Sequence, residues 1–165
     1  MWNAVVVAYA ITAAISDVAW GKIPRIFTLT ALIAGLAFHW ATGQVLSAAA
    51  AAFIGFGIGL TLFRLGAIGG GDVKLITALG ALLGLGRWVL AMEVALVAAG
   101  VIALIQVCRR GLVRQTFRNM GQLLRGVFTR GLVADPVINI RNKALVRMPF
   151  GLAAALGTLA AVLGT

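Results

Sequence analysis

The chain has 165 residues, 62% of them hydrophobic and 11% charged, against about 25% charged in soluble domains. This excludes an ordinary water-soluble enzyme and predicts one polytopic membrane domain of the all-α class over residues 1–165. The net charge of +10 does not indicate nucleic acid, since neither an aromatic-studded basic surface nor zinc spacing accompanies it; the cations lie near or between apolar runs, where anionic lipid is the expected partner.

Apolar runs at 2–20, 26–43, 45–63, 72–86, 88–108 and 149–164 predict about six transmembrane helices, each near the roughly 17–25 residues a bilayer requires. The first run has no basic stretch before it. Ala14-Ile15-Ser16 only faintly resembles a signal-peptidase site, so an uncleaved first span is expected. In the second, His39 beside Trp40 reads as an interfacial residue. Gly55, Gly57 and Gly59 in the third suit close helix packing in lipid. Glu93, in the fifth, is expected to pair inside the bundle or to carry a proton.

The cations set the orientation. With the N-terminus outside and six crossings, Lys22, Arg25, Arg64, Lys74 and the cations from Arg109 to Arg147 fall on the inner side, and only Arg87 stays outside. Both termini are then outside. Segment 109–148 is read as a cytoplasmic basic loop. Within it, Val113, Phe117, Met120, Leu124 and Val127 form an apolar stripe beside Arg110, Arg114, Arg118 and Arg125, as in an amphipathic helix on an anionic inner leaflet. Asp135-Pro136 reads as a turn.

This threading brings two acids to one depth. Asp17 ends the first span and Asp72 begins the fourth, both on the inner side. An ionisable group in a span costs about 2.5–3.5 kcal/mol on insertion scales, so the pair is a functional candidate. Asp72 follows Gly69-Gly70-Gly71, a turn-forming run that lets another chain approach closely, and is placed to cap the next helix. Two nearby carboxylates can divide acid and base work: one takes a proton from water as it attacks a carbonyl, and the other protonates the carbonyl oxygen. No cofactor or metal is needed. Ser16 and Ser47 lie in no nucleophile turn, His39 falls near the outer face away from Cys108, and that lone cysteine excludes an internal disulfide or a cysteine cluster for zinc. The readings from other classes are a proton-coupled transporter or channel using Asp17, Asp72 and Glu93, and a scaffold whose carboxylates only cap helices.

The run Gly69-Gly70-Gly71-Asp72-Val73-Lys74-Leu75, followed by Ala78-Leu79-Gly80, resembles the type IV prepilin peptidase family, whose signature is Gly-x-Gly-Asp. Asp17 followed by Lys22-Ile23-Pro24 resembles that family's first-span motif, with Arg25 where the family has asparagine. Met148-Pro149-Phe150-Gly151 and Ala155-Leu156-Gly157 resemble its closing stretch, with Leu152 in place of a second proline. The resemblance implies an inner-membrane aspartic endopeptidase that removes the basic leader of prepilins or pseudopilins on the cytoplasmic side. It implies Asp17 and Asp72 as the catalytic pair and Gly69 and Gly71 as loop-shaping residues. It further implies Lys74 as a substrate or headgroup contact, and Pro149, Phe150 and Gly151 as residues that break and pack the last helix. The paired Cys-x-x-Cys motifs of longer family members are absent, which implies cleavage without methylation, as in the short tight-adherence (Flp-type) pilus peptidases.

Overall fold

The computed structural model describes residues 1–20, 24–111, 121 and 150–164. Among them are five helices and no strand: α1 (Trp2–Trp20), α2 (Arg25–Ala41), α3 (Val45–Arg64), α4 (Gly70–Arg109) and α5 (Phe150–Leu163). Three of these, α1, α3 and α4, are long and apolar enough to cross a membrane; α2 and α5 are shorter apolar helices. The six expected runs become five helices because the fourth and fifth join in α4. Lys22, Pro149 and the amphipathic helix expected within 109–148 lie outside the described residues.

Glycines end these helices where the chain must reverse. After α2, Gly43 takes φ +72° while its N–H and that of Gln44 return to carbonyls of the last turn. Gly66 does the same after α3, at φ +75°. A left-handed residue just past a helix is the common C-terminal stop, and glycine takes it without a Cβ penalty.

The 40 residues of α4 would extend about 60 Å as one rod. They do not, because Gly84 has φ 71° and ψ 169°. Trp88 Nε1 donates to the carbonyl of Ile76 at 3.2 Å, although twelve residues of helix span about 18 Å. The two arms of α4 therefore fold back on each other. The break frees the N–H of Leu85, which donates to Ser47 Oγ at 2.9 Å, so an orphan donor is satisfied by α3. A Cβ on Gly84 would lie 3.3 Å from both His39 Nε2 and Ser47 Oγ.

The fold-back sorts the helix ends into two poles. At one meet the start of α1, the end of α2, the start of α3 and the turn of α4. Trp2 Nε1 donates there to Leu82 O at 3.1 Å, Trp2 stacks on Phe38 at 3.9 Å, and Arg87 donates to Asn3 at 3.1 Å. His39 is buried at this pole, its Nδ1 2.9 Å from Gly35 O, rather than lying at an interface as expected; the exposed neighbour is Trp40. The opposite pole gathers Asp17, Arg25, Arg64, Asp72, Arg109 and the start of α5.

Between the poles the helices touch through small residues. Ala81 and Ala51 are fully buried, and a Cβ on Gly35 or Gly80 would meet their backbones at 2.5 and 2.7 Å. Gly55 and Gly59 pack on α4 as expected, but Gly57 has nothing within 4 Å and faces outward. Without a hydrophobic drive between helices in lipid, such close backbone contact supplies the dispersion that holds them. Large apolar side chains such as Ile26, Leu46 and Phe53 point out, each more than three-quarters exposed.

Candidate active site

Asp72 is the third residue of α4. Its Oδ2 accepts the backbone N–H of Gly69 at 2.9 Å, while Gly69 O accepts the N–H groups of Asp72 and Val73. This is the acidic half of a capping box, with glycine unable to return a side-chain bond. A Cβ on Gly69 would stand 3.3 Å from Asp72 Oδ2, so the missing side chain leaves room for the carboxylate. None of Gly69, Gly70 and Gly71 has positive φ; the left-handed residue of this connection is Gly66. The tight turn expected of the triple glycine is made three residues earlier.

Asp17, in the last turns of α1, is held by a residue 134 positions away. Its Oδ2 accepts the N–H of Gly151 at 2.9 Å, in the first turn of α5. A Cβ on Gly151 would lie 2.9 Å from Asp17 Cβ, 3.0 Å from Oδ2 and 3.2 Å from the Ala14 backbone. Only glycine lets α5 come this near α1. The two carboxylates thus have one arrangement in common: each offers an oxygen to a free N–H at a helix start, where the macrodipole favours negative charge. Among the described residues no hydrogen bond reaches the second oxygen of either. Both side chains are half-buried, and they lie near enough for the charge of Asp17 to act on Asp72.

Other expected residues divide. Phe150 opens α5 and packs on the core cluster, and Gly151 touches Asp17 directly. Lys74 is two residues from Asp72, about 200° round the helix, and lines a different feature. That feature is a cavity of about 350 Å³ walled by Arg25, Leu29, Leu32, Phe56 and Ala78. Glu93 is exposed and makes no hydrogen bond or ion pair among the described residues, which corrects the expectation that it pairs inside the bundle. It is not gathered with the aspartates.

The sequence pattern of the type IV leader peptidase family matches residues 4–104, a stretch that contains both aspartates. The chain belongs to that family. Comparison with curated proteins and with solved structures gave no match. Membership in a leader peptidase family, on a bundle of apolar helices, makes this a membrane protein of peptidase type. The matched stretch ends before α5, so it does not include Gly151, the residue that binds Asp17. The closing Pro149-Phe150-Gly151 stretch singles out Gly151 as a residue that packs the last helix, but nothing in it announces the contact with Asp17.

Proposed function

We propose that the protein is a membrane-embedded aspartic endopeptidase that removes the leader from type IV prepilins or pseudopilins, with Asp17 and Asp72 as its catalytic pair. The observation that carries this reading is their placement at one pole, each with one oxygen tied to a helix start and the other untied. In the reaction one carboxylate takes a proton from water as the oxygen attacks the scissile carbonyl, and the other, protonated, donates to the carbonyl oxygen. The roles reverse as the C–N bond breaks: the carboxyl that received the proton gives it to the leaving amine. No acyl-enzyme forms. The bound oxygens fix the orientation of the acids, and the free ones do the proton work.

The two arms of α4 are proposed as separate crossings, which makes six with both termini outside. The pole bearing Arg25, Arg64, Lys74 and Arg109 is then cytoplasmic, and Arg87 is at the outer pole. This places the acids where water and a cytoplasmic leader both reach. The membrane is the bacterial inner membrane and the system a tight-adherence pilus or related secretion apparatus, with segment 109–148 held by anionic lipid. Gly69, by leaving space for Asp72, and Gly151, by binding Asp17, are positioning residues. Lys74 is proposed to contact the substrate or the headgroup layer, and Pro149 and Phe150 to break and pack the last helix.

A proton relay through Asp17, Asp72 and Glu93 fits less well, since Glu93 faces outward on the second arm of α4. The deciding experiment incubates purified protein with a prepilin of the same pilus system and identifies products by mass. Release of the intact leader is expected. Proton flux in liposomes that requires both aspartates, without any cleavage, would replace this reading with the transporter.

A further inference from the structure

Glu93 occupies an energetically odd place. On the second arm of α4, Trp88, Ala91, Ala95 and Ala99 form the buried stripe. Half a turn round the helix run Gly86, Leu90, Glu93, Val97, Gly100 and Leu104, all exposed. Their spacing alternates four and three residues, the 3.5-residue repeat of a helix seam. Neither Gly86 nor Gly100 has anything within 4 Å of where its Cβ would be, so no internal packing calls for them.

Glu93 is nine residues past the Gly84 turn, about 13 Å along the arm, close to the middle of a hydrocarbon core of about 30 Å. A carboxyl there is costly and normally faces protein. The basic segment leaves α4 beyond Arg109, sixteen residues or about 24 Å further on.

We infer that this face of α4 binds a second copy of the chain, with the two Glu93 carboxyls hydrogen-bonded to each other across a two-fold axis. Two copies in one bilayer share orientation, so each presents Glu93 at the same depth as the other; a different protein would have to supply a polar group at that level. Two carboxyls holding at least one proton satisfy each other, one as donor and one as acceptor. Gly86 and Gly100, one heptad to either side, let the backbones approach near that pair, as small residues do at helix interfaces in lipid. Leu90, Val97 and Leu104 supply the apolar knobs. The inference needs only that this arm lies in the membrane and does not depend on the catalytic assignment.

The chain's single cysteine provides the probe. Cys108 is exposed four residues after Leu104, one past the next position of the repeat, so it lies at the edge of the same face, near its counterpart in the dimer. Mild copper-catalysed oxidation of the full chain in liposomes is expected to give a covalent dimer through Cys108. Single-molecule photobleaching of a fluorescently tagged chain with reduced Cys108 measures the equilibrium. Glu93→Leu, which suits a lipid-facing position and leaves the fold intact by circular dichroism, is expected to lower the dimerisation constant roughly five- to thirtyfold, the span of one polar pair in a bilayer. Glu93→Gln, which keeps donor and acceptor, is expected to retain it. A monomeric wild type at all protein-to-lipid ratios, or dimerisation unchanged by Glu93→Leu, overturns the inference. So does a Cys108→Ser, Phe53→Cys chain, with its thiol on the outward face of α3, that cross-links as readily as wild type.

Discussion

Asp17→Asn and Asp72→Asn are each expected to lower prepilin cleavage by about 10²- to 10⁴-fold, the usual contribution of a positioned acid or base. The fold is expected to survive. Asparagine keeps a carbonyl oxygen, so it still accepts the N–H of Gly151 at position 17 or of Gly69 at position 72. What it lacks is a proton to give or a charge to receive one. The double substitution is expected to be no worse than either single one, because residues that act as a unit lose their effect together. The measurement is leader release over time by mass spectrometry, with insertion checked by membrane fractionation. Additive losses, or substantial activity in either single variant, would mean the acids do not work as a pair.

The second large effect lies far from both aspartates in sequence. Gly151→Ala puts a methyl group 2.9 Å from Asp17 Cβ and 3.2 Å from the Ala14 backbone. A backbone neighbour cannot swing aside, so α5 must shift, and the 2.9 Å bond to Asp17 lengthens. Overpacking of this kind costs about 1–3 kcal/mol. A displacement near 1 Å at a reacting group costs about 10²-fold in rate. The expected result is a folded but less stable protein with cleavage reduced by about that factor. Gly57→Ala is the control: a helical glycine with nothing within 4 Å, where alanine is expected to be neutral or to stabilise by about 0.5–1 kcal/mol. Equal effects at the two positions would remove Gly151 from the site.

These expectations separate what the sequence carried from what it did not. The common pole of Asp17 and Asp72 was legible, because alternating apolar runs with cations at one end leave little choice of threading. The ends of α1, α2 and α3 fall within two residues of the expected runs for the same reason. A reversal in this region was legible from the gap between the runs 72–86 and 88–108, but its exact place at Gly84 was not, because a single positive φ inside an apolar run changes neither composition nor period. The hold of Gly151 on Asp17 was hidden because it joins opposite ends of the chain. Glu93 was misplaced for a subtler reason. A lone acid in a span suggests an interior partner, and only the buried stripe of Trp88, Ala91, Ala95 and Ala99 shows that the interior is on the other side. The opposite faces of Lys74 and Asp72 follow from helix geometry alone.

Cleavage requires Asp17 and Asp72 to converge on one peptide bond. The most direct measurement places cysteines at both positions in a Cys108→Ser background and treats membranes with a short bismaleimide, with and without prepilin. Intrachain cross-linking of the Asp17→Cys, Asp72→Cys pair is expected, and none between Asn3→Cys and Asp72→Cys, which lie at opposite poles. Thiols that each react fully yet never join, even with prepilin bound, would contradict it.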